Sequence, residues 1–198
     1  MAATAEAIDR TIGTRARLLD AAFDAAATFG LARLTVEDVA RQAGLSRQSV
    51  YRYFGSKDEL IGVLVLREVD RLLEGVRQAN ARHTELEAAM RASALFCLRT
   101  LRDHPLLDRL LASEPDTLLP HLTTQAGPVI ARARQVLEDM AGARVGGRSK
   151  LVHRTADVAV RAILSYALTP SEDDPEDVAA GLGRILASAL GVREDDVR

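Results

Sequence analysis

The sequence predicts an all-α protein made of two helical parts, and three observations carry that expectation. Apolar residues recur at steps of three and four along most of the chain and nowhere alternate with period two. Aromatics make up 4% of the 198 residues and tryptophan is absent, so a core drawn from the 47% that are hydrophobic must be mainly Ala, Leu, Val and Ile. That mixture suits helices better than sheets. Gly, Pro and Ser/Thr punctuate the chain where helices should stop and start, and there is no internal repeat or low-complexity tract. The length is enough for one or two domains with a real core.

Taken in order, Leu18, Leu19, Ala22, Phe23, Ala26 and Phe29 mark a first amphipathic helix over about residues 14–29, stopped by Gly30. Thr35 stands directly before the periodic set Val36, Val39, Ala40 and Ala43 and three residues before Asp38, an N-cap arrangement for a short second helix that Gly44 ends. After the tight link Ala43-Gly44-Leu45, Ser46 caps a third helix, Arg47–Phe54, closed by Gly55. Ser56-Lys57-Asp58-Glu59 is a capping box opening a long fourth helix, which runs through Leu60, Ile61, Leu64, Val65, Val69, Leu72, Leu73 and Val76 to about residue 82. Helices are then expected over 85–103, 105–112, 128–140, 149–168 and 175–190. Pro115, Pro120 and Gly127-Pro128 make 115–127 an irregular stretch, and 142–147 and 169–174 are the other connections.

Charge is distributed unevenly although the net is only −2. Residues 10–57 carry eight positive side chains (Arg10, Arg15, Arg17, Arg33, Arg41, Arg47, Arg52 and Lys57) against Asp20, Asp24, Glu37 and Asp38, while residues 58–198 have a net charge of −4. A basic front segment before an acidic remainder is compatible with nucleic-acid binding. The single cysteine, Cys97, excludes an internal disulfide framework and a Cys-based zinc cluster, and reads as a small buried hydrophobe of a reducing compartment. Residues 1–14, with Glu6, Asp9 and Arg10 and no apolar block, carry no secretory or transit signal. The longest uncharged run, 117–131, holds two prolines and a histidine and cannot span a membrane. A cytoplasmic location is the resulting expectation.

Two short helices joined by a three- to four-residue turn containing Gly form a helix-turn-helix, here over about residues 35–54. In such a unit the second helix enters the DNA major groove and the first crosses the backbone. The eight residues Arg47–Phe54 span about 12 Å at 1.5 Å per residue, so they can probe only a few base pairs. Val50 and Phe54, four apart, would face a small core with Val39, Ala43, Leu45 and Phe23, leaving Arg47, Gln48, Ser49, Tyr51 and Arg52 outside. Arg47 can fork onto guanine and Gln48 can pair with adenine. Tyr51 can offer its ring to a thymine methyl or its hydroxyl to the backbone. Thr35, Tyr53 and Lys57 stand at helix ends where hydroxyl, ammonium and main-chain N–H groups would meet phosphates.

The run from Gly30 to Leu60, with Thr35-Val36, Val39-Ala40, Ala43-Gly44-Leu45-Ser46, Val50-Tyr51, Tyr53-Phe54, Lys57 and Leu60 in their places, resembles the signature of the TetR family of transcriptional regulators. The resemblance covers about residues 12–72, which become the expected DNA-binding domain, with 73–198 as the second domain. It implies that Thr35, Ser46, Arg47, Gln48, Tyr51, Tyr53 and Lys57 match positions that touch DNA in the family. Gln48 departs from the small residue common at its position, as a base reader or a phosphate contact. The family also implies a homodimeric repressor that holds double-stranded operator DNA and releases it when a small molecule binds the second domain. An activator of the same fold, or a helical adaptor without DNA specificity, remains as an alternative.

The second domain carries no recognisable motif. Val152, Ala156, Ala159, Val160, Ile163, Leu164 and Ala167 form one apolar stripe, and Val178, Leu182, Ile185, Leu186 and Ala189 form another. Both could be intramolecular core, and both resemble the helix pair through which the family dimerises. Met90, Leu95, Phe96, Leu98, Leu106, Leu110, Leu111, Val129 and Tyr166 could line a pocket for a hydrophobic or amphipathic effector, or serve as plain core. Arg91, Arg99, Arg132 and Arg161 are candidates for an anionic group on that effector. His83, His104, His121 and His153 never fall at metal-ligand spacing, so no metal or cofactor is expected. No nucleophile–base pair or phosphate loop appears, and Gly142–Gly147 lacks the Lys-Ser/Thr ending of one. An enzyme is therefore not expected.

Overall fold

The computed structural model describes residues 2–104 and 106–191, and the side chains of residues 11–191 other than 105 and 108. The charges at Glu6, Asp9 and Arg10, and Pro105 at the head of the expected sixth helix, lie outside the described side chains. Among the described residues there are ten helices and no strand: α1 (Ala2–Phe29), α2 (Val36–Gln42), α3 (Arg47–Phe54), α4 (Lys57–Ala81), α5 (Leu86–Arg102), α6 (Leu107–Ser113), α7 (Pro115–Leu122), α8 (Gly127–Val145), α9 (Lys150–Leu168) and α10 (Pro175–Gly191).

The local signals account for most boundaries. The side chains of Thr35, Ser46 and Ser56 accept the N–H of Asp38, Ser49 and Glu59 at 3.1, 3.2 and 3.1 Å. The box at Ser56 is only half made, because its own N–H donates to the Phe54 carbonyl at 2.7 Å. Ser149 caps α9 in the same way, taking the Val152 N–H at 3.2 Å.

Three expectations are corrected. α1 starts at Ala2, well before residue 14, because Ala2, Ala3, Ala5 and Ala7 are strong helix formers that show no apolar periodicity. Residues 115–122 are helical as α7, with Pro115 at the first helical position, where no N–H is needed, and Pro120 forfeiting a single hydrogen bond near the end. α8 continues through Gly142 to Val145 and stops at Gly146, whose φ of 87° is left-handed; the Gly147 N–H closes back on the Gly142 carbonyl at 2.8 Å.

A continuous buried cluster joins α1, α2, α3 and the start of α4, through residues such as Leu18, Leu34, Val39, Val50, Phe54 and Leu60, to Leu106, Leu110 and Leu118 of the α6–α7 segment. The two expected domains thus share one core at this corner. Farther out, α5 packs chiefly on α10 and α4, and α8 on α9. α10 approaches α5 so closely at Gly183 that a Cβ there would sit 2.8 Å from the Arg91 backbone nitrogen. Arg144 of α8 staples the end of α4, donating to the Asn80 side chain and to the Asn80, His83 and Thr84 carbonyls at 2.7–3.0 Å.

The first apolar stripe turns largely inward and the second only in part. Val152, Ala156, Ala159, Val160 and Leu186 are buried within the protomer, whereas Ile185 is 64% exposed and Val158, beside the first stripe, 59% exposed. α10 is apolar on two sides, and the spacing of its residues could not separate the side that meets α5 from the side left open.

Candidate nucleic-acid interface

The turn between α2 and α3 is built on Gly44, whose φ of 64° puts the chain where a side chain would be strained. The Leu45 N–H then reaches back to the Ala40 carbonyl at 2.8 Å, and Arg17 of α1 donates to the Ala43 carbonyl at 2.7 Å. With Val50 and Phe54 buried against Val39, α3 has one rotational setting. That setting leaves Arg47, Gln48, Tyr51 and Arg52 exposed together on the outer side.

The remaining predicted contacts are more engaged than their sequence positions suggest. Ser49 is partly covered, with its hydroxyl 3.0 Å from that of Ser46. Tyr53 is half-buried, its ring 6.5 Å from that of Phe54, with the Arg52 guanidinium 5.3 Å above it. Lys57 donates to the Ala32 carbonyl at 2.9 Å, tying the start of α4 to the loop before α2. Thr35 is exposed at its cap and also donates to the Asp38 carboxylate at 2.6 Å.

Sequence reasoning missed a partner of Arg47. Arg47 Nη1 lies 2.5 Å from a carboxylate oxygen of Glu37, in the first turn of α2. A hydrogen bond to Tyr51, and next the Glu37 charge, push the Arg47 guanidinium above its ordinary pKa. The two residues are ten apart in the chain, and only the turn geometry brings them together.

The predicted pocket residues do not converge on one space. Phe96, Leu106 and Leu110 line an apolar chamber of about 320 Å³, together with Leu64 and Leu72 of α4, Leu118 and Leu122 of α7, and Phe23, Ala26 and Leu31. The last three belong to the DNA-binding half, where Phe23 and Ala26 read in the sequence as part of the apolar stripe of the first helix. Polar groups at the chamber wall are Glu68, Arg71, Thr100 and His104. Phe96, Thr100 and His104 also line an open groove between α4 and α5 that includes Leu95. Met90 lies instead by Cys97 in a space of about 60 Å³, Val129 in a surface cleft beside His121, and Leu98 and Tyr166 in a recess of about 120 Å³ at the α9–α10 loop. Leu111 packs on the shared core. Arg99, Arg132 and Arg161 are paired outside the chamber with Glu176, Asp70 and Asp157. Among the described residues no group of three His, Cys, Asp or Glu side chains is placed to hold a metal, and no helix is long and apolar enough to cross a membrane.

An exposed recognition helix on a three-helix unit, followed by a helical domain with an apolar chamber, defines a helix-turn-helix transcriptional regulator. Residues 18–64 match the profile of bacterial regulatory proteins of the tetR family, and residues 85–188 match the C-terminal domain of the bacterial tetracyclin repressor. The chain is 36% identical over 181 residues to the HTH-type transcriptional regulator AlkX of Mycobacterium tuberculosis, covering 87% of this chain and 82% of that one. Its fold matches the TetR family repressor AlkX from Dietzia sp. strain DQ12-45-1b with a TM-score of 0.77 at 29% identity, over 89% of this chain and 94% of that one. The R. erythropolis transcriptional repressor QsdR shares the fold with a TM-score of 0.66 at 20% identity, over 90% of this chain and 96% of that one. The chain belongs to the TetR family of bacterial transcriptional regulators, a family of DNA-binding regulators and not of enzymes.

Proposed function

We propose that the protein is a homodimeric repressor that holds a palindromic operator and releases it when an apolar, chain-like effector fills the chamber. The observation that carries this reading is the wall of that chamber, made jointly by Phe23, Ala26 and Leu31 of the DNA-binding half and Phe96, Leu110 and Leu118 of the second half. A ligand there touches both halves and can bias their relative setting, provided its affinity differs between the two settings. At roughly 30 Å³ per water-sized group, 320 Å³ accommodates about ten non-hydrogen atoms. The lining is mostly aliphatic, which suits an alkyl chain, and the Dietzia AlkX is implicated in biodegradation of n-alkanes.

The readers in this proposal are Arg47, Gln48 and Tyr51. Thr35, Ser46, Ser49, Arg52, Tyr53 and Lys57 position α3 and α4 and meet the phosphates. Two copies of α3, about one DNA turn or 34–36 Å apart, would supply the specificity that an eight-residue helix lacks alone. Exposed Val158 and Ile185, with the open surface at Gly181, support dimerisation through the outer faces of α9 and α10. Repression follows the character of the Dietzia relative, and the site of action is the cytoplasm, where the operator lies.

The test is anisotropy of a labelled duplex from upstream of the protein's own gene beside a scrambled duplex, at about 150 mM salt to suppress non-specific phosphate binding. Sequence-dependent binding by two protomers, reversed by an n-alkane or its alcohol or carboxylate, is the expected result. Equal affinity with and without a demonstrably bound chain compound would sink the ligand response.

A further inference from the structure

We propose that Glu37 sets the specificity of the recognition helix by holding Arg47 so that it reads a neutral base edge in preference to a phosphate. The inference rests on the DNA-reading assignment of Arg47 and adds a residue that itself need not touch DNA.

The pair spans the turn, from the first turn of α2 to the first residue of α3, with 2.5 Å between Arg47 Nη1 and a Glu37 oxygen. Their side chains are 58% and 49% exposed, so the contact adds little to folding and no buried charge requires it. Asp38, next along the same turn, is occupied differently: it takes the Thr35 hydroxyl and pairs with Arg41 within α2. A carboxylate on a surface that approaches a polyanion weakens binding, and beyond suiting the N-terminus of α2 the position of Glu37 has a physical return through Arg47.

That return lies in the geometry of the guanidinium. Its five N–H donors form a rigid fork, and with Nη1 turned to Glu37 the rest of the fork is available to the two acceptors, O6 and N7, of a guanine. A phosphate approaching the same fork would bring its full negative charge beside the Glu37 carboxylate, whereas a guanine edge brings no net charge. The carboxylate therefore disfavours the backbone contact far more than the base contact.

The experiment compares wild type, Glu37→Gln, Arg47→Ala and the double variant on two duplexes: one enriched by the wild-type protein from a random library, and its scrambled counterpart. Affinities are measured between about 50 and 200 mM salt, and thermal melting verifies that each variant is folded. For Glu37→Gln, scrambled duplex should bind about two- to fivefold tighter per recognition helix, the size of an exposed ion pair. The slope of log affinity against log salt should steepen by about one per recognition helix as Arg47 turns to a phosphate, and discrimination between the duplexes should fall. Glu37→Asp should recover part of the discrimination. In the Arg47→Ala background Glu37→Gln should leave the slope unchanged. An unchanged slope and discrimination in the single variant, or the same shift with Arg47 absent, would overturn the inference while leaving the DNA-reading assignment standing. Wild-type protein that enriches no sequence and binds both duplexes equally would overturn that assignment and this inference with it.

Discussion

Gly75 of α4 faces the ring of Phe96 of α5, and replacing it by Ala tests the packing that forms one wall of the chamber. A Cβ on Gly75 would lie 3.0 Å from Phe96 Cε2 and nearer still to Cε1 and Cζ, so the ring must withdraw or the helices must part. Overpacking of this kind costs about 1–3 kcal/mol. Ala inside a 25-residue helix returns about 1 kcal/mol of propensity over Gly. Gly75→Ala should therefore lower stability by about 1 kcal/mol, within a range of roughly 0–2. With the ring removed by Phe96→Ala the same change should instead stabilise by about 1 kcal/mol, which makes the coupling about 1–3 kcal/mol. Urea denaturation followed by helical circular dichroism, at one protein concentration, gives all four stabilities. Phe96 lines both the chamber and the groove outside it, so uptake of an apolar dye should change in the same variant. If Gly75→Ala stabilised both backgrounds equally, the ring would not rest on Gly75 and the chamber wall would be wrongly drawn.

Lys57→Ala removes the bond to the Ala32 carbonyl and should cost about 1 kcal/mol of stability in the free protein. If the ammonium also meets a phosphate, all duplexes should weaken alike, with a salt slope lower by about one per protomer; an affinity loss confined to one sequence would contradict that role. Ile185→Glu places a charge on an already exposed apolar position, so sedimentation should show monomers with the helical content retained, and an unchanged dimer would exclude this face. Burial pushes the Cys97 thiol from 9.0 to about 12, so a maleimide at pH 8 should label it only as the protein unfolds. Because the folded value is the higher one, the neutral thiol's contribution is complete below pH 9 and is lost as pH rises towards 12, by up to about 1.4 kcal/mol per unit. The urea midpoint of Cys97→Ala should lack that part of the alkaline loss, and parallel pH profiles for the two proteins would refute it.

What could be read from the sequence is what is set within about one helical turn. Thr35, Ser46 and Ser56 cap as their spacing demands, and the four-residue step from Val50 to Phe54 correctly turned Arg47, Gln48 and Tyr51 outward. α7 was hidden because Pro115 and Pro120 signal a break in a long helix but are tolerated in a helix of eight residues. The chamber was beyond reach for a different reason. Phe23 and Ala26 have the periodicity of core residues, and with Leu31 they do pack in the core; that they also face a void depends on segments some eighty residues later in the chain. The Glu37–Arg47 pair has the same origin, since neither residue lies on the other's helix.

Those later segments also hold the reading unit in place. Glu114, between α6 and α7, accepts the Ala32 N–H at 2.7 Å, while Arg109 of α6 donates to the Ala27 and Thr28 carbonyls at the end of α1. His121 of α7 lies 3.6 Å from Asp58 in the first turn of α4. The loop leading into α2 and the start of α4 are thus held by the same elements that line the chamber at Leu106, Leu110 and Leu118. In the proposed repressor an effector would act on this grip, and the required free energy can be bounded. Moving a two-state equilibrium from 99:1 to 1:99 takes about 5.5 kcal/mol, or roughly 2.7 kcal/mol for each of two identical chambers. At about 25 cal/mol per Å² that corresponds to roughly 110 Å² more apolar surface buried in the released setting than in the DNA-bound one. A tightly bound effector that makes the same contacts in both settings would leave the operator occupied, so the response depends on how far α6 and α7 move around the ligand, and affinity alone does not determine it.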